Sequence, residues 1–153
     1  MTLLDLVKPE LVLPKIKCSS KNELFTMLAE RVYSADKNFP ISREALLHTI
    51  DIREKIGGTL LPSGLSVPHA RLEYYDGFML ILGTPMEALF HEERRIHLMA
   101  LMITSKWGSP YYLPVLAEIT KISRDEEYFS RLCGADDSED FISILRERNP
   151  EIA

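Results

Sequence analysis

Two nearly uninterrupted apolar runs, Phe78–Leu82 and Ile96–Ile103, constrain the fold of this chain more than any other feature. Neither run alternates between apolar and polar residues, so each predicts a strand with both faces buried. A third strand is predicted at Leu65–Val67. Because a sheet buried on both faces must be covered by helices, the runs favour a layered α/β domain with these strands near its centre. Both runs are far shorter than the roughly 20 residues of a membrane-spanning helix.

Two helices are predicted before the strands. Ser20–Glu23 has the pattern of a capping box, and the helix that it opens should extend to about Ser34. Ser42 can cap a second helix, which should end near Arg53–Ile56 because the Gly57-Gly58 pair follows. The apolar residues expected on the inner faces of the two helices are Leu24, Phe25, Leu28, Val32, Leu46, Leu47 and Ile50.

Three more helices are predicted after the strands. Pro110 and Pro114 suit the start of the first, Asp125 can cap the second, and Ser138 can start the last. The order helices, strands, helices over 153 residues predicts a single domain spanning residues 1–153, in which helices cover a small mixed sheet. The apolar stripe expected on the first of the three helices is Leu113, Leu116, Ala117 and Thr120.

Composition and charge narrow the classes of function. The formal net charge of −5 at pH 7 argues against a nucleic-acid partner, because surfaces that bind nucleic acid are basic. Cys18 and Cys133 show no metal-ligand spacing and are too few for a disulfide scaffold, which fits a reducing cytoplasm. Charged residues at Asp5, Lys8 and Glu10 interrupt the apolar stretch at the start, so we expect neither a signal peptide nor direct membrane insertion.

The segment from Arg53 to Arg71 carries the pattern with the most chemical meaning. A glycine-bearing loop leads into a short apolar strand that ends on Pro68-His69, and an arginine stands at each end of the segment. A phosphoryl group needs a nucleophile, amide donors and fixed positive charge, and this segment offers all three. At the end of a strand, His69 is expected at the rim of the sheet, where open α/β sheets bind ligands. The alternative is a hydrogen-bonded structural histidine.

The other three histidines show no such pattern. His48 lies within the second predicted helix, His91 in a polar turn and His97 at the start of a strand. No two of the histidines have the i, i+4 spacing of a helical metal site, so no metal site is predicted.

The segment from Arg53 to His69 resembles the active-site signature of the fructose/mannitol-type enzyme IIA domains of the bacterial phosphotransferase system. In that family an Arg-Glu pair is followed by Ser-Thr-Gly-Ile-Gly-Asn-Gly and then Ile-Pro-His, and the spacing between arginine and histidine fits here without a gap. Arg53–Gly57, and Pro68-His69 followed by Leu72-Glu73, look most similar to the nitrogen-related regulatory branch. The resemblance extends over nearly the whole chain.

The resemblance implies the IIA fold and a phosphocarrier. His69 would accept a phosphoryl group through Nε2 from a small HPr-like phosphocarrier protein, and Arg53 would bind the product through its guanidinium. Arg71 would either add positive field or be a solvated surface residue. No metal or other cofactor is implied, and whether such a phosphohistidine phosphotransferase component counts as an enzyme stays open. The residues implied to surround the phosphoryl group are Gly58, Thr59, Gly64 and Tyr112.

Four positions depart from the family pattern. Leu60, Pro62 and Ser63 stand where the family has two glycines and an asparagine, so Pro62 removes a backbone N–H and the turn must be built differently. Tyr112 takes the place of the family's second histidine. A tyrosine donates one hydrogen bond but does not become a cation near neutral pH.

Three functions therefore remain open. The first is a regulatory phosphoprotein, reversibly phosphorylated on His69, that binds target proteins according to its phosphorylation state. The second is a sugar-transport IIA component that passes the phosphoryl group to a permease subunit. The third is a binding module that kept the fold and lost phosphorylation. Pro62 and Tyr112 favour the first and third, because a high-flux transport component tolerates a weakened site poorly.

Overall fold

The computed structural model describes residues 1–56 and 59–152 of the chain. The elements within these ranges, after short 3-10 turns at Leu3–Leu6 and Pro9–Leu11, are β1 (Val12–Ile16), α1 (Lys21–Ala35), α2 (Arg43–Ile56), β2 (Leu65–Ser66), β3 (His69–Leu72), β4 (Phe78–Pro85), β5 (Leu89–His91), β6 (Arg94–Ile96), β7 (Leu98–Ser105), α3 (Tyr112–Arg124), α4 (Glu126–Cys133) and α5 (Ser138–Arg146).

The run Phe78–Leu82 lies in β4 and residues 98–103 of the second run lie in β7, and these two strands form the centre of a mixed sheet. Ile96 belongs to β6 instead, which corrects the prediction of one continuous strand over Ile96–Ile103. β4 and β7 pair antiparallel, β1 pairs parallel with β4, and both β2 and β3 pair parallel with the outer side of β7. Every residue of β7 is buried, as expected of a strand that is covered on both faces. β5 and β6 form a separate antiparallel hairpin. The predicted α/β class with a mixed sheet is confirmed.

Helices cover the sheet on both faces. Residues of α1 and α2 join one apolar cluster, and residues of α3, α4 and α5 join the other. The central strands divide between the two clusters by alternation: Met79 and Ile81 face α1 and α2, whereas Leu80 and Leu82 face the opposite helices. Among the described residues, no helix is long and apolar enough to cross a membrane.

The helix starts follow the capping residues of the sequence. The Ser20 hydroxyl accepts a hydrogen bond from the N–H of Glu23 at 3.1 Å, as predicted. The Glu23 carboxylate binds the N–H of Ser19 at 2.9 Å and the Ser19 hydroxyl at 3.0 Å, one residue earlier than a capping box requires. The Asp125 carboxylate caps α4 and α5 begins at Ser138, both as predicted, and the Asp137 carboxylate caps α5.

The predicted apolar stripe of α3 is wrong. Leu113, the first member of that stripe, is 69% exposed, whereas Val115, Ile119 and Ile122 are buried against the sheet. Both stripes recur at three- and four-residue spacing, so periodicity alone does not choose between them. The stripe with a valine and two isoleucines buries more apolar area than one that includes alanine and threonine, and this decides which face turns inward.

Candidate functional site

The candidate site lies where the end of α2 meets the start of β3. Arg53 stands in the last turn of α2, and His69 is the first residue of β3. Both line a cavity of about 380 Å³, together with Thr49, Ala70 and Arg71. The structure thus brings together the two residues that the sequence analysis singled out as nucleophile and cation.

His69 begins a strand, which corrects the prediction that it ends one. β2 and β3 both pair with β7 in the same register, and the Val67-Pro68 dipeptide interrupts the ladder between them. Pro68 has no N–H to donate, but its carbonyl accepts the N–H of Met102 at 3.0 Å, so the chain stays beside β7. His69 is therefore held by a strand that continues beyond it.

The environment of His69 favours the neutral imidazole. The side chain is 7% exposed, and its Nδ1 is enclosed without a hydrogen bond of regular geometry. Burial lowers the pKa of His69 below its ordinary value, and the charges of Arg53 and then Arg71 lower it further. Glu54 and the backbone of Val67 oppose this shift. Because Nδ1 is enclosed, Nε2 is the nitrogen through which the ring can reach a molecule in the cavity.

Tyr112 packs directly against the imidazole. The ring centroids of Tyr112 and His69 are 5.5 Å apart, with the planes inclined by 57°. The Arg71 guanidinium carbon lies 5.7 Å from the centroid of the same tyrosine ring, within the range of a cation–π interaction. Tyr112, the first residue of α3, thus contacts both the His69 imidazole and the Arg71 guanidinium.

Glu54 and Thr59 are bound to each other beside the site. The Thr59 hydroxyl donates to the Glu54 carboxylate at 2.6 Å, and the Lys21 ammonium lies 3.3 Å from the same carboxylate. The Lys21 and Glu54 side chains are both mostly buried, so this ion pair ties the start of α1 to the end of α2. The Thr59 hydroxyl proton is thus directed at Glu54, and Thr59 is not among the residues that line the cavity of His69.

Gly64 takes part in backbone hydrogen bonds on both sides of its peptide unit. Its N–H donates to the carbonyl of Leu61 at 3.0 Å, and its own carbonyl accepts the N–H of His97 at 2.8 Å. It is not among the residues that line the cavity of His69. Gly58, the remaining glycine of the predicted phosphoryl-binding set, lies outside the described residues.

The loop before β2 differs from a glycine-rich turn, as expected from Leu60, Pro62 and Ser63 at positions where the family has glycines and an asparagine. The Ser63 hydroxyl donates to the Ser123 hydroxyl of α3 at 2.8 Å. The carbonyl of Leu60 accepts a hydrogen bond from the Arg94 guanidinium of β6 at 3.1 Å. Side-chain contacts to α3 and to the β5–β6 hairpin therefore hold this loop.

Replacing Gly64 with alanine should destabilise the fold. Gly64 has a φ of +94°, and a Cβ atom there would overlap Cδ2 of His97. Positive φ at a non-glycine residue costs on the order of 1–3 kcal/mol, and the overlap with His97 adds to it. Gly108→Ala is the matched control, because Gly108 has a φ of +100° but open space around the Cβ position. Urea unfolding should show a larger loss for Gly64→Ala, and equal losses would contradict the overlap.

The remaining histidines do not join His69 in this cavity. His91 lies at the end of β5 with its Nε2 3.5 Å from the Glu92 carboxylate, and His97 packs against Gly64. Within residues 1–56 and 59–152, no three histidine, cysteine, aspartate or glutamate side chains converge as a metal site would require.

Sequence reasoning missed two features of the site. The sequence leaves Arg71 open between a functional and a solvated residue because it predicts that the strand ends at His69, whereas in β3 Arg71 lies on the same face as His69. The Lys21–Glu54 pair was missed because it joins two helices across 33 positions of sequence, which no local pattern reveals.

Known proteins are similar to this chain over nearly its full length. The model of the family described as "Phosphoenolpyruvate-dependent sugar phosphotransferase system, EIIA 2" matches residues 5–148. A nitrogen regulatory protein of Bradyrhizobium diazoefficiens is 26% identical over 148 residues, which make up 95% of this chain and 95% of that protein.

Solved structures with the same fold include two from related proteins. The nitrogen regulatory protein IIA-Ntr of Neisseria meningitidis superposes with a TM-score of 0.81 at 16% identity, covering 94% of this chain and 98% of that one. The Escherichia coli enzyme IIAMTL, solved in complex with phosphorylated enzyme IIBMTL, gives a TM-score of 0.72 at 18% identity, covering 93% and 98%.

Proposed function

Because the chain belongs to the EIIA 2 family of the phosphoenolpyruvate-dependent sugar phosphotransferase system, we propose that it is a regulatory phosphocarrier, reversibly phosphorylated on His69. The observation that carries the proposal is the shared cavity, which is lined by both His69 and the cationic Arg53, with the pKa of His69 lowered toward the neutral imidazole. The similarity to nitrogen regulatory proteins over 95% of both chains supports a regulatory role over a transport role.

The proposed transfer needs only in-line contact between two histidines. The donor is the phosphohistidine of a small HPr-like carrier. The Nε2 lone pair of His69 attacks phosphorus, the new N–P bond forms as the carrier's N–P bond breaks, and the electron pair of that bond returns to the carrier's imidazole. Nε2 must be unprotonated to attack, so the ring proton resides on Nδ1, the enclosed nitrogen. The lowered pKa of His69 keeps the ring in this neutral form.

Arg53 stabilises the transferred group by charge. A phosphoryl group places roughly two negative charges at the rim of the cavity. A guanidinium presents paired N–H donors that match two phosphoryl oxygens. Arg53 therefore supplies both positive charge and hydrogen-bond donors to the phosphoryl group that His69 would carry.

Phosphorylation then acts as a switch on the surface. In the unmodified protein, Arg53 and Arg71 make the rim of the cavity positive; after transfer, the phosphoryl group reverses the local charge. A target protein whose charge complements one form of the surface is repelled by the other form. This reversal of charge is the simplest physical basis for regulation here.

A labelling experiment tests the proposal. The protein is incubated with radiolabelled phosphoenolpyruvate, the first phosphotransferase enzyme and an HPr-like carrier, and the label is mapped by mass spectrometry. We expect label on His69, and retention of different cellular proteins by the phosphorylated and unmodified forms. Rapid onward transfer to a IIB-type permease subunit would instead support a transport component. Absence of label would leave the non-phosphorylated binding module.

The protonation of His69 offers an independent check. NMR titration should place the pKa of His69 below 6.5, because burial and two arginines disfavour the charged ring. Arg53→Ala should raise the pKa of His69, and Arg71→Ala should raise it by less, following the order of their contributions. The neutral, reactive form should therefore persist as the pH falls from 8 to 6.5. A pKa of His69 above 6.5 would contradict this account of the cavity.

A further inference from the structure

The alternation of β3 places His69 and Arg71 on the same face of the strand. Ala70 and Leu72, the residues on the other face, are buried in the cluster formed with α1 and α2. Arg71 lines the same cavity as His69, yet it is exposed at the rim. Its place beside the imidazole is therefore fixed by the strand backbone.

The guanidinium of Arg71 is held against an aromatic ring. Its central carbon lies 5.7 Å from the centroid of Tyr112, and that ring lies 5.5 Å from the ring of His69. Within the described part of the chain, Arg71 forms no ion pair and no hydrogen bond, so its N–H donors remain available. A ring restricts the guanidinium without consuming those donors, because it interacts through its π face.

We propose that Arg71 is a second phosphoryl-binding residue and that the ring face of Tyr112 is the platform that positions it. The inference rests on the proposed phosphorylation of His69. It gives the tyrosine a role that does not need its hydroxyl. The positive charge that a histidine at position 112 would supply comes instead from the arginine that this tyrosine holds.

The two possible roles of Tyr112, through its hydroxyl or through its ring face, predict different results for Tyr112→Phe. If Tyr112 acts by its hydroxyl, Tyr112→Phe slows phosphorylation of His69. If Tyr112 acts by its ring face, Tyr112→Phe keeps the rate of the parent protein, and only a substitution that removes the ring slows it. Tyr112→Leu is that substitution, since leucine fills apolar space without a π face.

The test is a double-mutant cycle on the initial rate of label transfer to His69. Arg71→Ala should slow transfer about tenfold, since a charge-assisted contact to a dianion is lost. Arg71→Lys should recover part of that loss through charge alone. Tyr112→Leu should slow transfer severalfold in the parent and by clearly less in Arg71→Ala, where only the contact of the Tyr112 ring with His69 is lost. Arg95→Ala is the matched control, since Arg95 also stacks on an aromatic ring, Phe90, at 6.0 Å.

Each outcome decides a separate question. Parental rates for Arg71→Ala, with label on His69, would overturn the inference and leave the proposed function standing. The platform role would be overturned if the losses of transfer rate in Tyr112→Leu and Arg71→Ala were additive in the double variant. It would also be overturned if Tyr112→Phe transferred label more slowly than the parent. A parent protein without label on His69 would overturn the proposed function itself.

Discussion

Replacing His69 with alanine should abolish phosphorylation of this protein by its carrier. The reason is chemical: no other described side chain in the cavity is a nitrogen nucleophile, since the rest of its lining is Thr49, Arg53, Ala70 and Arg71. The loss should be complete, because methyl cannot form an N–P bond. Transfer of radiolabel from the phosphorylated carrier, followed by gel analysis, measures it directly.

Two comparisons make the His69→Ala result specific. His97→Ala removes another imidazole whose pKa is also lowered by burial, but His97 lies against Gly64 and outside this cavity, so phosphorylation should be retained. Circular dichroism should show that His69→Ala remains folded. Label that persists in His69→Ala, or that disappears in His97→Ala, would place the acceptor elsewhere.

Arg53→Ala should give the second-largest loss of transfer. Removing a charge-assisted contact to the phosphoryl group is expected to cost about 1.5–3 kcal/mol, which is on the order of ten- to a hundredfold in rate. Arg53→Lys keeps the charge but loses the paired donors of the guanidinium, so its rate should remain well below that of the parent. Initial rates at a fixed concentration of phosphorylated carrier measure both variants.

A second role of Arg53 needs its own control. Arg53 and Lys55 both stand in the last turn of α2, where positive charge stabilises the helix C-terminus. The Lys55 ammonium pairs with the Asp51 carboxylate at 3.0 Å and is exposed, so Lys55→Ala removes a similar charge away from the cavity. If Lys55→Ala slows transfer as much as Arg53→Ala, Arg53 acts through the helix and not through the phosphoryl group.

Much of the fold could be predicted from the sequence because local signals agreed with tertiary packing. Ser20 and Asp125 cap the helices that they were expected to cap, and residues 78–82 and 98–103 of the two apolar runs lie in the central strands. β1 is not predicted because Pro14 lies within it, and in the structure Lys15 adds a second irregularity with a φ of +52°. Such irregularity is tolerated at a sheet edge, and β1 is an edge strand.

The candidate site was only partly predictable. Spacing along the chain suggested the pairing of Arg53 with His69, and the two residues do share a cavity. Thr59 and Gly64 also have partners inside the protein that spacing along the chain does not reveal: the Thr59 hydroxyl donates to Glu54, and the Gly64 N–H donates to the carbonyl of Leu61. The stacking of Arg71 on Tyr112 joins β3 to α3, which only the folded structure brings together.

The most direct measurement of the central claim is the position of phosphorus on the imidazole. The protein, labelled with ¹⁵N at histidine, is phosphorylated by its carrier and studied by NMR through the coupling of ³¹P to ¹⁵N. The enclosure of Nδ1 leads us to expect one phosphohistidine, at His69, with phosphorus on Nε2. Phosphorus on Nδ1 of His69, or on His48, His91 or His97, would contradict the account.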